Sequence, residues 1–168
     1  IEFVSELGAA AAALQPSAFS FQRSARIPRI GVQLYTVRGL MERDFDGTLA
    51  RVARIGYPEV EFAGYFGRTP AQVREVLRRH RLAAPASHID ISLLSGDWAR
   101  MLDDARVMGH RYLVVAWTPQ ERRRTLDDWR RIGDLFNRAG QQASRAGLTF
   151  AYHNHDFEFV PLENQLPF

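Results

Sequence analysis

The stretches YLVVAW (112–117) and LTFAYHNH (148–155) decide the fold predicted from this sequence. Both are of strand length, and the first is continuously apolar, as is typical of a strand buried on both faces. Between them, apolar residues recur at helical spacing from Thr125 to Ala146, and Gly147 follows as a stop signal. A strand, a helix and a second strand in this order predict a parallel βαβ unit.

The same alternation begins at Ile30 and continues along the chain. Further strands are predicted at 30–37, 59–64 and 84–91, and further helices at 44–55, from Thr69, and from Asp97 to Gly109. The start at Thr69 is the clearest, because Pro70 and Gln72 complete a capping-box pattern. Five strands separated by helices indicate an α/β fold with a parallel sheet.

Two parallel architectures fit this pattern, a doubly wound sheet and a (β/α)8 TIM barrel. A doubly wound sheet favours a glycine-rich turn after the first strand, where this chain has QLYTVR (33–38). Instead, polar and aromatic residues recur at the C-terminal strand ends: Gln33, Tyr35, Glu61, His88, Asp90, Trp117, His153 and His155. Barrels build their sites from many strand ends, so the pattern favours a barrel. A complete barrel needs about 250 residues, so we expect about the first five β/α units here.

Composition limits the chemistry. The chain has 168 residues and no cysteine, and all 22 of its basic residues are arginine. A Schiff-base lysine, a cysteine nucleophile, a thiolate metal site and a disulfide within this stretch are therefore excluded. The arginine runs are accompanied by acidic residues, as on solvated helix faces, and no window reaches the ~18 apolar residues of a membrane span. We expect neither nucleic acid nor a membrane as a partner.

Residues 1–26 are set apart from the predicted domain, which takes in 27–168. The segment FVSELGAAAAALQPSAFSF (3–21) has a short core of small apolar residues followed by a Pro-Ser-Ala region. This arrangement is similar to a bacterial export signal of the twin-arginine (Tat) type, and it predicts a periplasmic or secreted protein. An alanine-rich amphipathic helix on a cytoplasmic protein is the alternative.

The segment YHNHDFEF (152–159) places two histidines close to two carboxylate side chains, Asp156 and Glu158. His153 and His155 alternate with Asn154, so both imidazoles point the same way from an extended strand. Each histidine alone is typical of a hydrogen-bonded core residue, but the pair with a carboxylate, Glu158, favours a functional site. Because cysteine is absent, any metal there would be held by imidazole and carboxylate groups.

Three motifs resemble a known family. IGVQLYTVR (30–38), GYPEVEFAGYFG (56–67) and LTFAYHNHDFEFVPL (148–162) are similar to the first, second and fifth strands of the xylose-isomerase-like TIM barrels known as sugar phosphate isomerases/epimerases. The resemblance covers residues 30–168 and implies a divalent metal (Mn, Co, Mg or Zn) at the C-terminal mouth of the barrel. It implies a sugar or keto-sugar substrate that loses the proton alpha to a carbonyl and forms an enediolate.

The resemblance also suggests roles for individual residues. Glu158 is predicted as the catalytic acid or base and as a metal ligand, together with His153 and His155. The family's remaining metal ligands come from later strands, outside this chain. Substrate contacts are predicted for Gln33, Tyr35, Glu61, His88, Trp117 and Asn154. Packing inside the barrel or capping of a strand end is the structural alternative for Gln33, Tyr35, His88 and Trp117. His80 and His110 are interpreted as structural.

Three other functions remain open at this stage. A keto-sugar lyase or hydrolase would use the same metal and base. A non-catalytic half-barrel binding module is the second alternative, and its exposed sheet edge would favour a homo-oligomer. A DNA repair enzyme similar to endonuclease IV is the third, but it would need a histidine at the end of the fourth strand, where this chain has Trp117.

Overall fold

A computed structural model describes residues 29–167 and shows one five-stranded parallel sheet. The export-signal prediction for residues 1–26 lies outside the described residues. The strands are β1 (Gly31–Gln33), β2 (Glu59–Ala63), β3 (Ala83–Ile89), β4 (Tyr112–Val115) and β5 (Thr149–Tyr152). The helices are α1 (Arg38–Arg43), α2 (Phe45–Ile55), α3 (Pro70–His80), α4 (Trp98–Met108) and α5 (Leu126–Arg145).

The strand order decides between the two predicted architectures. The strands pair in chain order, β1-β2-β3-β4-β5, and every neighbouring pair is parallel. A doubly wound sheet reverses its strand order at a switch point, and no reversal occurs among the described residues. The prediction of a partial TIM barrel, with the first five β/α units, is confirmed.

The two sides of each strand differ as barrel geometry requires. In β2, Val60 and Phe62 are buried in the layer shared with the helices, whereas Glu61 lies on the opposite face and stays partly accessible. In β4, Leu113 and Val115 are buried in the same way. The face turned away from the helices is the inside of the barrel, called the lumen below. Glu61 therefore reaches the lumen from an otherwise apolar strand.

Most helix starts agree with the sequence signals, and the strand lengths agree less well. Thr69 and Thr125 each form a complete capping box, whereas the side chain of Asp97 makes no capping hydrogen bond. The first strand, predicted to reach residue 37, ends at Gln33 and continues as a 3-10 helix over Leu34–Val37. The side chain of Gln33 causes this early turn because it caps the 3-10 helix. Within residues 29–167, no helix is long and apolar enough to cross a membrane.

Candidate functional site

The polar residues at the ends of β1, β2 and β3 meet in the lumen. Gln33 Nε2 lies 3.1 Å from His88 Nδ1, and His88 Nε2 lies 2.8 Å from Glu61 Oε1. The register of the sheet brings these three side chains together. Gln33 pairs with Glu61, and Ala63, two residues further along β2, pairs with His88. The imidazole of His88 and the carboxylate of Glu61 are in close contact, but the N–H of His88 is not aligned for a hydrogen bond.

The same line of contacts continues towards β5. The imidazole of His88 lies 5.3 Å from that of His153, and His153 lies 5.0 Å from His155, measured between ring centres. The rings of Trp117 and His155 are nearly perpendicular, and their centres lie 5.3 Å apart. The backbone N–H of His153 donates to the Val115 carbonyl at 3.0 Å, so the chain stays beside β4 past the end of β5. Five of the predicted site residues thus form one continuous row along the mouth of the barrel: Glu61, His88, His153, His155 and Trp117.

An aromatic and cationic stack supports the far end of this row. The ring of Phe157 stacks on His155 at 5.3 Å with an angle of 9° between the planes. The guanidinium of Arg123 lies 3.5 Å from the centre of the same phenyl ring, and its Nε donates to the Thr118 carbonyl at 2.8 Å. This stack fixes the plane of the His155 imidazole and connects the segments that follow β4 and β5.

Glu158 lies beneath the row and is fully buried. Its two carboxylate oxygens accept hydrogen bonds from the Tyr152 hydroxyl and, at 2.8 Å, from the backbone N–H of His155. Burial, and next the hydrogen bond to Glu158, raise the pKa of Tyr152 above its ordinary value, which keeps the phenol protonated as a donor. As placed, Glu158 holds the backbone of His155 in position. Its predicted role as metal ligand or acid–base stays a prediction.

Two residues predicted as substrate contacts, Tyr35 and Asn154, are not members of this row. Tyr35 is exposed, and the guanidinium of Arg38 covers its ring at 4.0 Å. Asn154 is exposed and donates from its side chain to the carbonyl of His155 at 3.2 Å. Their assignment as substrate contacts stays a prediction.

The other two histidines lie in structural contacts. His80 Nε2 lies 2.8 Å from Asp46 Oδ1, between helices α3 and α2. His110 is buried, with Nδ1 2.5 Å from the Ala84 carbonyl oxygen and Nε2 2.9 Å from the Tyr65 hydroxyl. Burial lowers the pKa of His110 below its ordinary value, so this ring stays neutral at neutral pH.

Comparison with solved structures shows the same fold in several proteins. A sugar phosphate isomerase/epimerase from Parabacteroides distasonis matches with a TM-score of 0.68 at 24% sequence identity, over 80% of this chain and 53% of that one. The chain has the TIM-barrel fold of this protein over the part that it covers. The resemblance predicted from the three sequence motifs is confirmed at the level of the fold.

Other proteins with this barrel differ in function. An AP endonuclease, family 2, from Brucella melitensis has a TM-score of 0.64 at 14% identity, over 75% of this chain and 55% of that one. An IolI protein with a bound zinc atom has a TM-score of 0.58 at 12% identity, over 74% of this chain and 50% of that one. No family profile and no curated protein sequence matches the chain significantly. The chain thus spans about half the length of the solved structures that it matches.

The donor atoms at the mouth of the barrel fit a metal site in part. His153 and His155 bring two imidazoles together at the mouth, and Nδ1 of His155 is buried without a hydrogen-bond partner among residues 29–167. Imidazole is a common ligand of Zn in proteins, whereas Mn and Mg prefer carboxylate oxygens. In the described part of the chain, however, no group of three or more His, Asp or Glu side chains is arranged to hold a metal ion. The described residues therefore fit a metal site only with the two imidazoles of His153 and His155.

Sequence reasoning missed the residues that support the row. The Tyr152 hydroxyl donates to the Glu158 carboxylate and lies 3.5 Å from the Thr118 hydroxyl, and Arg123 stacks on Phe157. No spacing rule links Tyr152 to a carboxylate that follows a bend in the chain. Arg123 stands in a run of three arginines, and nothing in the sequence separates it from its neighbours.

Proposed function

We propose that this chain forms one wall of the active site of a divalent-metal-dependent sugar isomerase or epimerase. The reaction would remove the proton alpha to a carbonyl and pass through an enediolate. The observation that carries the proposal is the row Glu61, His88, His153, His155 and Trp117, which lines the C-terminal mouth of the barrel. That mouth is where barrel enzymes assemble their sites.

Each member of the row suits one part of this chemistry. His153 and His155 would hold the divalent metal, which when bound supplies stabilisation of the negative charge that develops on the sugar oxygens. Glu61 is a carboxylate with 31% of its side chain exposed to the lumen, so it can accept a proton or a hydrogen bond from the substrate. Trp117, which is 53% exposed, offers a flat apolar surface to a sugar ring.

The test is the exchange of a carbon-bound hydrogen. Purified protein with Mn²⁺, Co²⁺ or Zn²⁺ is incubated in D₂O with a panel of aldoses, ketoses, keto-sugars and their phosphates, and deuterium at the carbon alpha to the carbonyl is followed by NMR. We expect exchange that Glu61→Gln and His153→Ala reduce by at least about 100-fold. Glu75→Gln, on the exposed face of α3, is the matched control. Exchange that Glu61→Gln and His153→Ala leave unchanged would contradict these assignments.

A keto-sugar lyase or hydrolase is the second candidate, because the same carboxylate and imidazoles would serve an elimination after the same proton abstraction. The NMR experiment separates the two, since elimination releases a second product whereas epimerisation does not. Cleavage of a duplex that contains an abasic site tests the endonuclease alternative. Metal and sugar binding without exchange or cleavage would favour the non-catalytic binding module.

A further inference from the structure

We infer that Gln33 fixes His88 in the tautomer that carries its proton on Nε2. His88 would then present a hydrogen-bond donor to the lumen, and not a lone pair that could bind a metal. Gln33 would act as a positioning residue, and the ligand of His88 would be an acceptor oxygen, such as a hydroxyl or carbonyl oxygen of the substrate.

The backbone of Tyr35 determines the orientation of the Gln33 side-chain amide. The backbone N–H of Tyr35 points at Oε1 of Gln33 over 2.6 Å. A backbone N–H can only donate, so the side-chain atom that it meets must be the amide oxygen. The amide nitrogen of Gln33 is thereby directed to the other side, where His88 lies.

The Gln33 amide in turn determines which nitrogen of the His88 imidazole carries the proton. Gln33 Nε2 lies 3.1 Å from His88 Nδ1. The amide nitrogen can only donate, so Nδ1 of His88 must accept through its lone pair. A neutral imidazole has one protonated and one unprotonated nitrogen, and therefore the proton of His88 lies on Nε2.

The surroundings of His88 Nε2 indicate which kind of ligand it would bind. This atom is buried, and among residues 29–167 it has no aligned hydrogen-bond acceptor, although Glu61 Oε1 is 2.8 Å away. A buried N–H without an aligned acceptor is unfavourable unless a ligand completes its hydrogen bond. A metal ion cannot, because it needs the lone pair of a deprotonated ring nitrogen. An oxygen atom with a lone pair can.

The test reads the tautomer directly by two-bond ¹H–¹⁵N correlation spectra of the ¹⁵N-histidine-labelled full chain near neutral pH. His110 is an internal reference with the opposite geometry, because its Nδ1 faces the Ala84 carbonyl and must carry the proton. We expect the Nε2–H pattern for His88 and the Nδ1–H pattern for His110. His88→Asn assigns the signals. A Nδ1–H pattern for His88, or an equal mixture of tautomers, would overturn the inference.

Gln33→Glu then tests whether Gln33 is the cause. A carboxylate still accepts from the Tyr35 N–H, but it offers an acceptor to His88 Nδ1, so the proton should move to Nδ1 while the His110 pattern stays unchanged. An unchanged His88 pattern in a variant with a native His110 pattern would refute the role of Gln33. Loss of the His110 pattern in Gln33→Glu would mean that this variant does not fold, and Gln33→Met is then the test. We expect a mixture of His88 tautomers in Gln33→Met. A pure Nε2–H pattern for His88 in that variant would refute the role of Gln33. None of these readouts requires catalysis, so the inference and the proposed function can fail separately.

Discussion

The hydrogen bond between Tyr152 and the buried carboxylate of Glu158 should stabilise the fold measurably, and Tyr152→Phe removes it without changing the ring. Glu158 is fully buried, and its oxygens accept from the Tyr152 hydroxyl and the His155 N–H. Removal of one partner from a buried hydrogen bond leaves the other group unsatisfied at a cost of about 1–3 kcal/mol, and we expect a loss of stability in that range. With a urea slope of about 2 kcal/mol/M, the midpoint of unfolding should fall by about 1 M.

The assay is equilibrium urea unfolding followed by the fluorescence of the three tryptophans. Tyr112→Phe is the matched control, because Tyr112 is 41% exposed and its hydroxyl takes no part in a described hydrogen bond. That control should change stability by less than about 0.5 kcal/mol. In a Glu158→Gln background, Tyr152→Phe should have a smaller effect, with a coupling of at least about 0.5 kcal/mol. Equal effects of the two Tyr→Phe variants, or no coupling, would refute the reasoning.

Three further predictions concern residues away from the lumen. Burial lowers the pKa of His110, so the stability it contributes is fully present above its unfolded pKa of about 6.5 and is lost as the pH falls towards the folded value. Thermal unfolding of the wild type should therefore lose more between about pH 7.5 and pH 5 than that of His110→Asn, and parallel curves would count against this. Thr69→Ala removes the capping box of α3 and should lower the unfolding free energy by about 1 kcal/mol in urea, more than Thr149→Ala, whose side chain caps no helix and lies at an exposed position of β5. Gly109→Ala should also destabilise by about 1 kcal/mol or more, because Gly109 has φ +77° and a Cβ would lie 2.7 Å from Arg74 Nη1; an unchanged urea midpoint would contradict this.

The fold could be predicted from the sequence because its periodicities are long and consistent. The stripe of α5 and the capping residues Thr69 and Thr125 are local signals, and the structure confirms both starts. Strand ends were overestimated because apolar residues continue past the point where the backbone turns. At β1, Gln33 ends the strand by capping the 3-10 helix, and its side chain also bonds His88, 55 residues away along the chain. That second contact has no local signature.

The candidate site could be predicted in part for the same reason. Lumen-facing positions such as Glu61 and His88 follow from alternation along a strand and from their place at its C-terminal end. Glu158 lies in a 3-10 turn (Phe157–Phe159) after the strand, where alternation no longer indicates direction. Its burial depends on a tyrosine and a backbone N–H that the turn brings together, so only the three-dimensional structure reveals it.

The most direct test of the central claim is a Mn²⁺ titration of the ¹⁵N-histidine-labelled full chain, with imidazole signals followed by NMR. If the mouth of the barrel holds a metal, substoichiometric Mn²⁺ should broaden the signals of His153 and His155 first, while those of His80 and His110 remain sharp. His153→Ala should abolish the selective effect on His155. Equal broadening of all histidine signals, or none even in a large excess of Mn²⁺, would contradict a metal-dependent site in this row.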